Sequence, residues 1–373
     1  MQQVKPKVLT LTTYDVYNYG ASLQAYALQQ YINGQGCESE LINYQPEYLT
    51  RKYDYRWVNP ESTMSRYALT RIVYRCLKYL QRQTTMGRKR AFDSFHKDYL
   101  FQGKRYRTHQ ELIDNPPIAD TYIVGSDQIW NTFYETGQDG AFYLDFVKNG
   151  VKASYAASFS YTEICREWRE KISTWLKSFD KIAVRECHGV DILESMGLDG
   201  QWVLDPVFLL PIDQWKSVMT PFEKKEKYLL IYDFENNEEL KRFCIQYAKE
   251  KGLKLYSIND TYPCRYADRN FSSAGPREFL SLIYHCDAFV SNSFHGTAFS
   301  IIFGKPVFVF NRNRHKVNSR MESLTSLFEI GDCIVEPQSD YTEYINKTFD
   351  FERINAIRLR ELEKSKEYLN GLL

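Results

Sequence analysis

The segment Ala288-Phe-Val-Ser-Asn-Ser-Phe-His-Gly-Thr-Ala-Phe-Ser-Ile-Ile-Phe-Gly304 runs from an apolar stretch through a polar turn into a helical stretch that opens on small residues. Ser293 is a natural N-cap, and the free N–H groups and positive dipole end of such a helix bind phosphate or carboxylate. His295 falls in the first turn, where an imidazole can donate to a bound anion or move a proton, and Gly296 allows close backbone approach. A lone histidine is more often structural, but this one sits beside an anion-competent turn at the carboxyl end of an expected strand, which makes it the catalytic candidate. Further on, Asn311-Arg-Asn-Arg-His-Lys-Val-Asn-Ser-Arg320 concentrates Arg312, Arg314, Lys316 and Arg320 in one loop. Guanidinium groups make bidentate contacts to planar anions, and Lys316 adds a point charge, so the ligand suggested is small and multiply anionic.

In the first half, Tyr122-Ile-Val-Gly-Ser-Asp-Gln-Ile-Trp-Asn131 ends a strand-like run on Gly125, Ser126, Asp127 and Gln128, followed by Trp130. A carboxylate, an amide and a ring face together recognise hydroxyl-rich ligands; the structural alternative is an Asx-type turn with a buried Trp. Arg185 and Glu186 stand at another strand end and Asp205 in a Leu-Asp-Pro turn. Arg185 either clamps an anion or pairs with Glu186 or Asp205, and spacing does not choose between these.

The elements that must position these groups alternate strand and helix. Residues 8–12 read as a strand, 18–22 as a turn containing Gly20, and Leu23, Tyr26, Ala27, Gln30 and Tyr31 recur at helical spacing before a strand at 38–43. This βαβ opening favours a parallel sheet with ligands at the carboxyl ends of its strands, so the 18–22 turn faces a crevice. Strands at 121–124, 151–156, 182–184 and 202–204 complete an N-terminal α/β domain, residues 1–215. Strands at 228–232, 253–257, 288–291 and 307–310 build a second, residues 223–350, and a helix over 352–373 could return to brace the first. Residues 51–107 carry 15 Lys and Arg against 4 Asp and Glu and read as a basic helical insertion. Within it, Leu69, Ile72, Val73, Cys76, Leu77 and Leu80 form one apolar helical face opposite Arg66, Arg71, Arg75, Lys78 and Arg82. Such a helix either packs on the domain with a solvated basic side or docks on an anionic membrane leaflet or a diphosphate-linked lipid.

Composition narrows the classes. The 373 residues carry 48 Lys and Arg against 47 Asp and Glu, a formal net charge of +1, which removes any whole-chain case for nucleic acid. With 43% hydrophobic and 25% charged residues the chain is a folded protein. No apolar run is long enough to span a bilayer and the N-terminus lacks a signal-like core, so the expectation is a cytoplasmic protein, with contact at the inner face of the plasma membrane confined to 51–107. Eight scattered Cys without a C-x-x-C pair are expected to be reduced and mostly buried. Six His without ligand spacing imply no metal.

Taken together, Asn18-Tyr-Gly-Ala-Ser-Leu-Gln24, Val124-Gly-Ser-Asp-Gln-Ile-Trp-Asn131, Tyr155-Ala-Ala-Ser-Phe159, Val184-Arg-Glu186, Leu204-Asp-Pro206 and Asn292-Ser-Phe-His-Gly296 resemble the polysaccharide pyruvyl transferase family, in order over most of residues 8–330. The resemblance implies two Rossmann-like domains facing a cleft in a GT-B-like arrangement. It also implies transfer of pyruvate from phosphoenolpyruvate, as co-substrate without a further cofactor, to two hydroxyls of one sugar during cell-surface polysaccharide assembly. By position, Arg185 matches the family's donor-facing arginine, His295 its motif histidine and Lys316 a downstream basic residue. Many members have Arg where this chain has Ser293, leaving Arg312, Arg314 or Arg320 to compensate. Asn18, Asp127, Gln128 and Trp130 are the expected contacts to the sugar or lipid-linked acceptor. The competing enzyme reading is a nucleotide-sugar glycosyltransferase on the same architecture, and a third is a noncatalytic membrane-associated scaffold.

Overall fold

The structure is a computed structural model that describes residues 5–51, 56–59, 62–259, 263–312 and 318–373; Lys316 and Arg314 lie outside the described residues. Strands β4 (Thr121–Val124) and β8 (Tyr228–Tyr232) are buried at every residue, and β1 (Lys7–Leu11) at all but its first. Strands without a solvent face belong at the centre of parallel sheets covered by helices on both sides.

The first sheet runs in the order β3 (Gln102–Tyr106), β2 (Glu38–Tyr44), β1, β4, β5 (Val151–Ser154), all parallel. The short parallel pair β6 (Ala183–Val184) and β7 (Gln201–Trp202) continues the row through bridges Ala153–Lys181 and Ala157–Val184. The second sheet repeats the pattern as β10 (Arg269–Asn270), β9 (Lys254–Ser257), β8, β11 (Ala288–Ser291), β12 (Val307–Val309). In each, the strand order reverses beside the first strand, and the carboxyl ends there open the crevice in which ligands bind in doubly wound sheets. The chain therefore forms two Rossmann-like domains.

Their helices meet directly. The helix Tyr19–Gly34 packs on Pro276–His285 and Phe294–Ile302 of the second domain. Tyr19 stacks on Phe279 with ring centroids 4.4 Å apart and donates its hydroxyl to the Ala274 carbonyl at 2.9 Å. The C-terminal helix Phe351–Asn370 lies back on the first domain: Tyr368 donates to the Ser154 carbonyl, and Leu204 N–H donates to Ser365 Oγ, each at 2.9 Å.

The basic segment divides into two regimes. A single helix, Ala68–Tyr99, spans 32 residues, about 48 Å. From Arg88 onward it enters the core, with Phe92 and Phe95 fully buried, and β3 after it is a strand of the main sheet. Before that, Leu69, Ile72, Val73, Leu77 and Leu80 are 50–73% exposed. Of the two readings of this helix, packing on the domain is thus corrected: the helix runs past the edge of the core, and among the described residues its periodic apolar stripe stays exposed.

Because Leu369 is fully buried against the first domain, Leu369→Ala is expected to cost about 2–5 kcal/mol. Urea unfolding measures this; a loss below about 0.5 kcal/mol would mean that the helix does not brace that domain.

Candidate active site

The strands deliver their polar ends to one place. Asp205 follows β7, where its Oδ1 accepts from Val207 N–H at 3.1 Å and begins the turn at Pro206–Phe208. Its Oδ2 accepts from Ser126 Oγ at 2.8 Å, after β4, and from Arg185 Nη1 at 2.9 Å, after β6. The same oxygen lies 3.4 Å from His295 Nε2, contributed by the helix after β11 in the other domain. Burial opposes a charged carboxyl here, but His295 and Arg185 outweigh it and hold Asp205 well below the usual carboxylate range. Arg185 is also buried; Glu186 and Asp205 overcome its desolvation and keep it charged, and its guanidinium covers the Phe294 ring at 4.2 Å.

A second buried guanidinium arrives from the opposite domain. Arg320 sits in the first turn of the helix Ser319–Leu327. With the Gln128 amide turned so that its oxygen faces the guanidinium, it accepts from Arg320 Nη1 at 3.0 Å and Nη2 at 3.2 Å, while its nitrogen donates to Ser160 Oγ at 3.2 Å. Burial first, then repulsion from Arg185, pulls Arg320 down to about 10. Arg185 Nη2 and Arg320 Nε are buried without a hydrogen-bond partner. Each such orphan costs roughly 1–3 kcal/mol, so two buried nitrogens left this way on like-charged groups suit an acceptor-rich anion.

Ser293 is the N-cap, its Oγ accepting from Gly296 N–H at 3.3 Å. That commits the hydroxyl to the helix, and it does not replace an arginine. Gly296 faces Phe289, where a Cβ would come within 2.7 Å of the ring, so the glycine serves helix-on-strand packing. Arg312 lies over the Phe234 ring at 4.7 Å and 3.7 Å from Glu235, at the cleft's second-domain side. On the first-domain side, Asn18 caps its helix by accepting from Ala21 N–H at 3.2 Å, and Asp127, half-buried, occupies the left-handed region at φ 80°. Such strain in a non-glycine residue concentrates at functional sites. Gln128 is engaged by Arg320, so it serves the guanidinium rather than standing free for an acceptor. Trp130 is a correction: it is fully buried, stacked on Tyr143 and donating Nε1–H to the Phe142 carbonyl at 2.9 Å, so no face remains for a sugar.

Two further residues enter the site from the structure. Asp205 was legible as a turn residue only, because Arg185, Ser126 and His295 are remote from it in sequence. Gly20, expected in a turn, is in the first turn of the helix Tyr19–Gly34 and lies against the His295 ring so closely that a Cβ there would come within 1.9 Å of Nδ1. The turn is held by Arg88, which donates to the Tyr17 carbonyl at 2.9 Å and covers the Tyr19 ring at 4.4 Å.

Asp205→Asn leaves Arg185 with a weaker buried partner, and a cost of about 3–5 kcal/mol is expected at pH 7. Because folding depresses the Asp205 pKa, its contribution is complete above the unfolded value near pH 4 and is lost as pH falls through the folded value. The stability gap between wild type and variant should therefore narrow below about pH 4 in thermal unfolding; a gap independent of pH would deny Asp205 its charge.

The comparisons fit this arrangement. Among solved structures, the chain is similar to the S. aureus MnaA–UDP co-structure, at 13% identity and TM-score 0.51, covering 98% of this chain and 97% of that one. An alpha-glucosyltransferase (AGT) in complex with UDP aligns at 10% identity and TM-score 0.48 over 99% and 96%. UDP-N-acetylglucosamine 2-epimerase from Rickettsia bellii aligns at 13% and 0.43 over 98% of both. The likeness to the S. aureus MnaA–UDP co-structure concerns the fold, which is GT-B-like. No curated protein matches the chain. The family model for polysaccharide pyruvyl transferase matches residues 18–314, most of the chain; the chain belongs to the polysaccharide pyruvyl transferase family.

Proposed function

We propose that the cleft binds phosphoenolpyruvate and transfers its pyruvate to two hydroxyls of one sugar, forming a cyclic ketal on a cell-surface polysaccharide or its precursor. The observation that carries this reading is the approach of Arg185 and Arg320, from opposite domains, beside His295, with buried N–H capacity unmet on both guanidinium groups. Phosphoenolpyruvate bears a phosphate and a carboxylate on a three-carbon frame, and two separately anchored guanidinium groups suit two separate anionic groups. Arg320 is then the cation that stands in for the arginine missing at position 293.

In the reaction, His295 gives a proton to the methylene carbon of the donor while a sugar hydroxyl adds to C2, and the proton of that hydroxyl returns to His295. The C2–O bond to phosphate then breaks, phosphate taking the electron pair, and the second hydroxyl of the same sugar adds to C2, its proton passing to the departing phosphate as the ketal closes. Asp205 orients the imidazole and Gly20 supplies the space it occupies. Asp127 and Asn18 hold the acceptor hydroxyls, and positioning both hydroxyls contributes as much as the acid.

Phosphoenolpyruvate should raise the thermal transition of the protein and nucleotide sugars should not, since a ligand selective for the native state stabilises it. Stabilisation by a nucleotide sugar alone would turn the assignment to sugar transfer. His295→Ala should keep the phosphoenolpyruvate-induced shift and lose roughly 10²–10⁴-fold in phosphate release with acceptor, whereas Arg320→Ala should weaken the shift itself.

Gly20→Ala gives an independent check. The new methyl must displace the His295 ring, so phosphate release should fall toward the His295→Ala level although residue 20 bears no reactive group. Turnover within twofold of wild type would remove the ring position from the mechanism.

A further inference from the structure

The first half of the helix Ala68–Tyr99 takes no part in the cleft. Leu69, Ile72, Val73, Leu77 and Leu80 lie on one side of it, each at least half exposed, and Tyr67 adds an exposed ring just before its start. Five aliphatic side chains in one stripe form a patch that soluble proteins cover. The opposite side carries Arg71, Arg75 and Lys78 and turns toward the segment around Trp57: Arg75 donates to the Arg56 carbonyl at 3.0 Å, Lys78 to the Trp57 carbonyl at 3.1 Å. Residues 62–92 contain eight Lys and Arg and no Asp or Glu.

We infer that this half-helix is an interfacial anchor that lays its aliphatic stripe into an anionic lipid leaflet. The charge pattern selects the occupant. A second copy packing stripe to stripe would bring two acid-free, strongly basic segments together, whereas anionic headgroups complement them. The form is that of a helix lying in a membrane surface, with an aliphatic face, a Lys- and Arg-rich polar face and aromatic residues near its rim. It is too polar to cross: among the described residues no helix is long and apolar enough to span a membrane.

The anchor is rigidly joined to the cleft. The same helix continues from Leu80 to Arg88, about 12 Å, where Arg88 holds the Tyr17–Tyr19 turn that places Gly20 against His295. Docking therefore holds the first-domain wall of the cleft at a set position near the lipid surface. The inference concerns where the protein sits and stands whether or not phosphoenolpyruvate is the donor.

Sedimentation of the full chain with vesicles tests it. Vesicles of phosphatidylglycerol and phosphatidylcholine should bind the protein, pure phosphatidylcholine should bind it far less, and salt should weaken the first. Arg71→Gln with Arg75→Gln should weaken binding about 25-fold, at about fivefold per basic residue near the surface. Ile72→Ser with Leu77→Ser, both on exposed positions and so leaving the thermal transition unchanged, should weaken it on the order of 100-fold. Absence of binding to the anionic vesicles, or binding that neither double variant reduces, overturns the inference. So does light scattering that shows a dimer which Ile72→Ser with Leu77→Ser converts to monomer, because a second copy would then cover the stripe.

Discussion

The structure turns on one buried carboxylate. Asp205 Oδ2 receives Arg185 and Ser126 from the first domain and faces His295 from the second, in a buried place. An isolated carboxylate there would be costly, and with its partners it becomes the reason both domains must close to one geometry. The cost of the arrangement is visible in what it leaves unpaired. Arg185 offers two more N–H groups than its partners use, both on Nη2, and Arg320 stands near enough to be repelled by it. A folded chain tolerates that repulsion most readily where an anion is to be bound.

The parallel sheets explain how such a site arises from residues so far apart in sequence. In both sheets the first strand is central and the chain reverses its direction of growth beside it, so that the loops after β1, β4, β6, β7 and β11 all open toward the same crevice. The helices that follow β1 and β11 then pack on each other, and that contact is tight enough to exclude a single methyl between Gly20 and His295. The glycine is needed for close approach across the domain contact, with an ordinary helical backbone.

The long basic helix shows the same economy of elements in a different setting. Its second half is core: Phe92 and Phe95 are buried, and His96 meets Ser22 Oγ at 2.8 Å. That meeting, together with Asp15 at 3.5 Å from the His96 ring, has the composition of a hydrolytic triad, but Ser22 is fully buried in the helix that follows β1 and is a packing residue. Residue types alone would not separate this Ser, His and Asp from a catalytic set; burial of the hydroxyl does.

Periodicity and turn chemistry were enough to locate most of the strands and the cap at Ser293, because these are local: they depend on which side chains lie within a few residues of one another; the expected turn at 18–22 is instead the cap Asn18 and the first turn of the helix Tyr19–Gly34. They also singled out His295, Arg185 and Arg320 as candidates. Two short or edge strands, β3 and β10, escaped since their hydrophobic pattern is weak, and their place in a sheet comes from neighbours remote in the chain. The role of Asp205, the covering of Trp130 by Tyr143, the pairing of Gln128 with Arg320 and the exposure of the stripe from Leu69 to Leu80 were decided by the tertiary structure alone. Each depends on what lies across a contact between distant segments. A helical apolar stripe or an aspartate at a strand end reads the same in sequence whether a partner covers it or not.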